Sequence, residues 1–134
     1  VKFYFVLLTL LHIARVLLIS IPSMVARPVP DWFFFNHLAD VALFTLCLIA
    51  SFELGFSRPV LRSMNARRWR MAGQATLVLG AFQVFLYTMG EHIGTPDLIE
   101  NPGILDVLRL YLPYLLFAIP AIVHSHELSK KNAA

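Results

Sequence analysis

Charge is scarce in this chain, and cysteine nearly absent. Of its 134 residues only 14% are charged, against roughly 25% in soluble domains. Hydrophobic residues reach 58%, and mean hydropathy is +0.70. A soluble domain this small could not cover so much apolar surface. The scarcity of charge therefore excludes a soluble enzyme, a disordered tail and a nucleic-acid-binding module. Cys47 stands alone, which excludes a disulfide scaffold. No nucleophile elbow, phosphate loop, dinucleotide fingerprint, paired CxxC or HExxH is present, so hydrolase, nucleotide and common zinc chemistries have no motif to stand on.

What is there is a set of long apolar runs. A bilayer core takes roughly 20 mostly apolar residues in one helix. Four stretches qualify, at about 3–21, 32–56, 71–89 and 104–123; they are spans A to D. Lipid cannot satisfy free backbone groups, so each must be helical. No alternating segments of barrel length occur. Pro22, Pro28 and Pro30 separate A from B; Gly90, Gly94, Pro96, Pro102 and Gly103 separate C from D. These are turn residues within one domain. The fold class expected is all-α: an integral membrane four-helix bundle over residues 1–134. Span A is expected to be retained, because His12 and Arg15 interrupt its apolar run and no small-x-small cleavage site follows.

Orientation follows from the short loops. The B–C connection carries Arg58, Arg62, Arg67, Arg68 and Arg70 with no acid among them, and Lys130 and Lys131 follow span D. The C–D loop carries Glu91, Asp97 and Glu100 with no Lys or Arg. The B–C loop and both termini are thus placed in the cytoplasm, N-in and C-in, of a bacterial inner membrane.

Polar residues inside spans are expensive, so their depth is informative. Arg15 and Asp40 lie at a similar depth, roughly 10 Å below the outer surface by the helical rise; an Arg15–Asp40 ion pair is expected. His12 lies deeper, and His37 one turn outward of Asp40. Gly73, Thr76, Gly80, Gln83, Tyr87 and Gly90 share a face of span C. That face is expected to pack on His37, Asp40, Cys47 and Ser51 of span B. Asp106 and Arg109 add to the same outer region, as do Glu91 and His92. Glu53 is expected to be neutralised by Arg58 and Arg62, and His124 and His126 to be solvated tail residues.

Several chemistries fit this cluster. Haem b takes histidine from facing helices and Arg or Tyr on its propionates; His37, His92 and His12 are the candidate ligands, with Arg15, Arg109 and Tyr87 around them. A quinone needs donors for two carbonyls beside an apolar slot, which the same residues offer. Mixed imidazole and carboxylate at His37, Asp40, Glu91 and His92 suits a transition metal. A small freestanding transporter is a further reading, since intramembrane ion pairs and Gly/Pro-broken helices occur there. The remaining reading is a small accessory subunit of a membrane redox or energy-converting complex. Its partners are the lipid bilayer and other membrane subunits, or further copies of itself; no nucleic-acid partner is expected.

From span B onward the chain resembles small bacterial multi-helix membrane proteins that are similar to the copper-resistance D and membrane protoporphyrinogen-oxidase group. The resemblance is carried by FNHLADVALF, ARRWR, LVLGAFQVF and NPGILDVLRLYLPYLLFAIP, and covers about two thirds of the chain. What it implies for this chain is that His37 is the residue to test. The group often carries a second histidine beside that position, where this chain has Asn36, and span A is an extra leading helix.

Overall fold

The computed structural model describes residues 1–25, 31–88 and 103–133. Every regular element among them is helical. Helix α1 spans Lys2–Arg15, a π-helical turn covers Val16–Ser20, and α2 covers Ile21–Val25. The backbone stays right-handed through Val16 and Ile21, so the three form one continuous rod. The wide turn has a local cause. Pro22 brings no N–H to the ladder and crowds the turn before it. Just ahead of it, the Ile21 N–H reaches five residues back to the Val16 carbonyl.

Helix α3 spans Asp31–Phe56, α4 Ala66–Thr88 and α5 Ile104–Ala133. Asn65 starts α4: its Oδ1 accepts the Arg68 N–H at 2.9 Å, as an N-cap does. Arg67, Arg68 and Arg70 therefore stand on the first turns of α4, where a loop was expected. At the start of α5, Asp106 Oδ2 accepts the Gly103 N–H at 3.0 Å, the reach-back half of a capping box. Helix α5 runs ten residues beyond the expected end of span D, from position 123 to Ala133.

Three of these helical stretches are long and apolar enough to cross a membrane: Lys2–Ser20, Phe34–Phe56 and Ile104–Lys131. Among the described residues, the stretch in α4 is not one of them. Large apolar side chains face outward along the rods, with Phe3, Leu18, Val78, Ile104 and Leu105 each 70–80% exposed. In water such a surface would be untenable; in a bilayer it is the solvent-facing side.

Helix α5 packs along α4 and against α3, and α3 meets every other helix. Close approach of α4 and α5 needs glycine. A Cβ on Gly80 would lie 2.7 Å from Tyr114 Cβ, and one on Gly73 2.7 Å from Ile122 Cγ1. Gly73 and Gly80 of the stripe thus serve α5. The expected contact with α3 is present as well: Thr76 meets Cys47 Sγ at 3.3 Å, and Gln83 shares a cavity with His37. Thr76 spends its own proton on the Ala72 carbonyl, so the Cys47 thiol is the donor. Phe44 and Phe117 stack at 4.2 Å in the core, with Leu8, Trp69 and Tyr114 around them.

Helix α1 lies along α3 and touches α5 through Tyr4. Pro120 leaves the carbonyl four residues before it, that of Leu116, without its helical donor. The Tyr4 hydroxyl donates to that carbonyl. Val1 packs against Gly55, Lys2 Nζ lies 5.3 Å from the Phe56 ring centroid, and Glu53 meets His124. The N-terminus, the α3–α4 connection and the last turns of α5 therefore gather at one end, the basic end.

Candidate functional site

The expected ion pair is present. Arg15 at the end of α1 places Nη2 3.0 Å from Asp40 Oδ2 on α3. Asp40 is 1% exposed and the Arg15 side chain 17%. The guanidinium is also held between rings, 5.0 Å from the Phe44 centroid and 5.5 Å from that of Tyr114. Cation–π contact of this kind stabilises a desolvated cation. The pair thus has a charge partner on one side and aromatic faces on the others.

The pair is under-satisfied. Among the described residues, Asp40 Oδ1 and Arg15 Nε have no hydrogen-bond partner, and neither do Gln83 Oε1 and Nε2. Gln83 is 2% exposed. Buried polar atoms without partners are uncommon in native structures, and a site with several calls for water or a ligand. A cavity of about 100 Å³ lies there, lined by Arg15, Ile19, His37, Gln83, Leu110 and Tyr114. A water needs roughly 10–15 Å³ of such space, so the cavity has room for several.

His12 sits one turn deeper and outside this cavity. Thr45 Oγ1 donates to the Val41 carbonyl, so it accepts from His12 Nε2–H at 3.0 Å. The His12 ring meets Phe44 and Phe117 edge-on. Its Nδ1 has no partner among the described residues. His37 is buried and lines the cavity.

The structure brings together Arg15, Asp40, His37 and Gln83, with His12 behind them. It does not bring in Arg109, which is exposed and off the cavity, nor Asp106, which caps its own helix. The side chain of Tyr87 and all of Glu91 and His92 lie outside the described residues, so the His37–His92 pairing and the four-residue metal set do as well. Among the described residues no group of three His, Cys, Asp or Glu could hold a metal ion.

A haem does not fit between the described residues. The cavity of about 100 Å³ falls below the roughly 300–1,000 Å³ of ligand and cofactor pockets. His12 already spends Nε2 on Thr45. What fits is water, or a single polar group such as a carbonyl entering beside Arg15 and Gln83.

The basic end holds a second buried acid, at the end expected for it but with partners that sequence reasoning missed. Glu53 Oε1 accepts the Val60 and Leu61 N–H groups at 2.7 and 2.8 Å. His124 Nε2–H donates to Glu53 Oε2 at 2.7 Å. His124 is 8% exposed and lies 5.6 Å from the Trp69 ring. It is therefore a core residue, and the expected tail position is corrected; His126 is exposed as expected. The anticipated Arg58 and Arg62 partners of Glu53 are likewise replaced, by His124 and two backbone donors.

No family model matches the chain, and comparison with curated proteins and with solved structures finds no match.

Proposed function

We propose that this chain is a small multi-span subunit of a membrane redox or energy-converting complex, carrying a hydrated, charge-paired site in its outer half. The observation that carries the reading is the Arg15–Asp40 pair inside two membrane-length helices, beside a cavity that Arg15 and Gln83 line, with Asp40 Oδ1, Arg15 Nε and the Gln83 amide without partners among the described residues. Ionisable groups at such depth are costly in lipid and mark ion, proton or ligand sites. A purely structural pair would have its remaining atoms satisfied. Arg15 and Gln83 supply donors for water or for a quinone carbonyl reaching the cavity from a partner. Haem is not part of the proposal.

The same proposal includes four crossings. Helix α4 lies against membrane-length α5 from Gly73 to Gly80, which favours its crossing at the same depth. The gathering of Lys2, Arg58, Arg62, Arg67, Arg68, Arg70, Lys130 and Lys131 toward one end favours that end as cytoplasmic, in a bacterial inner membrane. The resemblance to the copper-resistance D group enters only as a reason to substitute His37 early.

Purification in mild detergent tests the subunit reading. Larger membrane subunits should co-purify, and Asp40→Leu should lose them. A reduced-minus-oxidised haem spectrum in the isolated chain, abolished by His37→Ala, would overturn the site assignment. A solute gradient formed by the chain alone in proteoliposomes would replace the subunit with a transporter. For topology, Asn65→Cys should label from the cytoplasm and Leu98→Cys from outside; the reverse pattern sinks the orientation.

A further inference from the structure

At the basic end, a cavity of about 350 Å³ opens between the α3–α4 connection and the last turns of α5. Arg58, Arg62 and Lys131 line it, above Glu53 and His124. Glu53 is the one carboxylate of the lining, and its oxygens are already taken by His124 and two backbone N–H groups. Arg58, Arg62 and Lys131 make no ion pair among the described residues. The pocket is therefore a concave place with excess positive charge. Leu61, Met64 and Leu128 give it an apolar wall.

Its depth decides the ligand class. The apolar run of α3 reaches Phe56, and that of α5 closes near Val123. Arg58, Arg62 and Lys131 all lie beyond these ends. Head groups, not hydrocarbon, would surround side chains placed there. Ser57, with φ 53°, turns the chain there from the axis of α3 into the connection that carries Arg58 and Arg62. Left-handed backbone is costly for a serine, yet at this position it redirects the chain across the mouth of the bundle.

We propose that this pocket binds the phosphate of an anionic lipid head group, held by Arg58, Arg62 and Lys131. Basic pockets between membrane helices at the cytoplasmic surface suit such head groups, and each basic residue adds to the attraction. A general positive-inside bias needs only basic residues in a loop. It does not need two chain segments, far apart in sequence, to converge on one cavity.

The test uses the full chain in zwitterionic detergent micelles, titrated with short-chain phosphatidylglycerol or phosphatidylcholine. Retained lipid is counted by native mass spectrometry and Tm is followed in parallel. Phosphatidylglycerol should be retained and raise Tm; phosphatidylcholine should do neither. Arg58→Gln/Arg62→Gln should weaken phosphatidylglycerol binding by roughly 30-fold, and Arg67→Gln/Arg70→Gln should leave it unchanged. Lys131→Gln alone, roughly 5-fold weaker, keeps the test open should the double variant fail to fold. Equal retention of both lipids overturns the proposal, as does an equal loss in Arg67→Gln/Arg70→Gln, which would mean a diffuse field. Inorganic phosphate giving the same Tm rise would replace the lipid with a free anion.

Discussion

Among the described residues the bundle contains two buried acid–base pairs, and they are built differently. At the basic end, both oxygens of Glu53 are used, one by His124 and one by two backbone N–H groups that pin the α3–α4 connection. Toward the other end, Asp40 uses one oxygen on Arg15, and the other has no partner among the described residues. The first is a closed staple joining α3, the connection and α5. The second is an open site beside a cavity. An ionisable residue inside a span is thus not a functional site by itself; the count of unsatisfied atoms separates the two kinds.

The largest effect expected is from Glu53→Leu. It strands His124 and the Val60 and Leu61 N–H groups together, and breaking a buried pair alone costs about 3–5 kcal/mol. Unfolding in mixed micelles should show it. A further change, His124→Leu, should not restore stability, because the backbone donors remain without an acceptor. Asp40→Leu is expected at the lower end of the same range, about 3 kcal/mol, since the rings of Phe44 and Tyr114 still hold Arg15. Here the second substitution should help: Arg15→Leu/Asp40→Leu should unfold within about 1 kcal/mol of the parent, as apolar replacement of a whole pair often does. If the two double variants behave alike, the distinction between staple and site collapses.

Gly80→Leu drives a side chain into Tyr114, and overpacking of this kind costs about 1–3 kcal/mol. Because Tyr114 also lines the outer cavity, the variant should weaken partner retention as well as stability. A loss of stability alone would separate α4–α5 packing from the site. The smallest effect belongs to Tyr4→Phe, about 0.6–1.7 kcal/mol, the range of hydrogen bonds between membrane helices. It should leave co-purifying subunits untouched.

The open site was more legible in the sequence than the staple. Arg15 and Asp40 could be matched because both lie inside apolar runs, where the helical rise converts sequence position into depth. The stripe of Gly73 and Gly80 announced a close helix contact, but small residues do not say which neighbour approaches, and α5 did. Glu53 and His124 were read apart. The apolar run ends near Val123, so His124 looked like the start of a solvated tail, while α5 continues to Ala133. The partners are 71 positions apart, and Arg58 and Arg62 offered a nearer partner for the acid that the fold does not use. Hydropathy reports where lipid ends; it does not report where a helix ends.

The bond from Tyr4 to the Leu116 carbonyl also sets an order of events. It joins residues 112 positions apart, whereas Arg15 and Asp40 are separated by 25. As the chain is made from its N-terminus, the first helical rod can settle its charge as soon as α3 is present. Its hydroxyl must wait for α5, while the carbonyl that Pro120 sets loose finds the hydroxyl already made. The α1 rod and α5 are thus completed together, and a ribosome halted before α5 leaves Tyr4 without that acceptor.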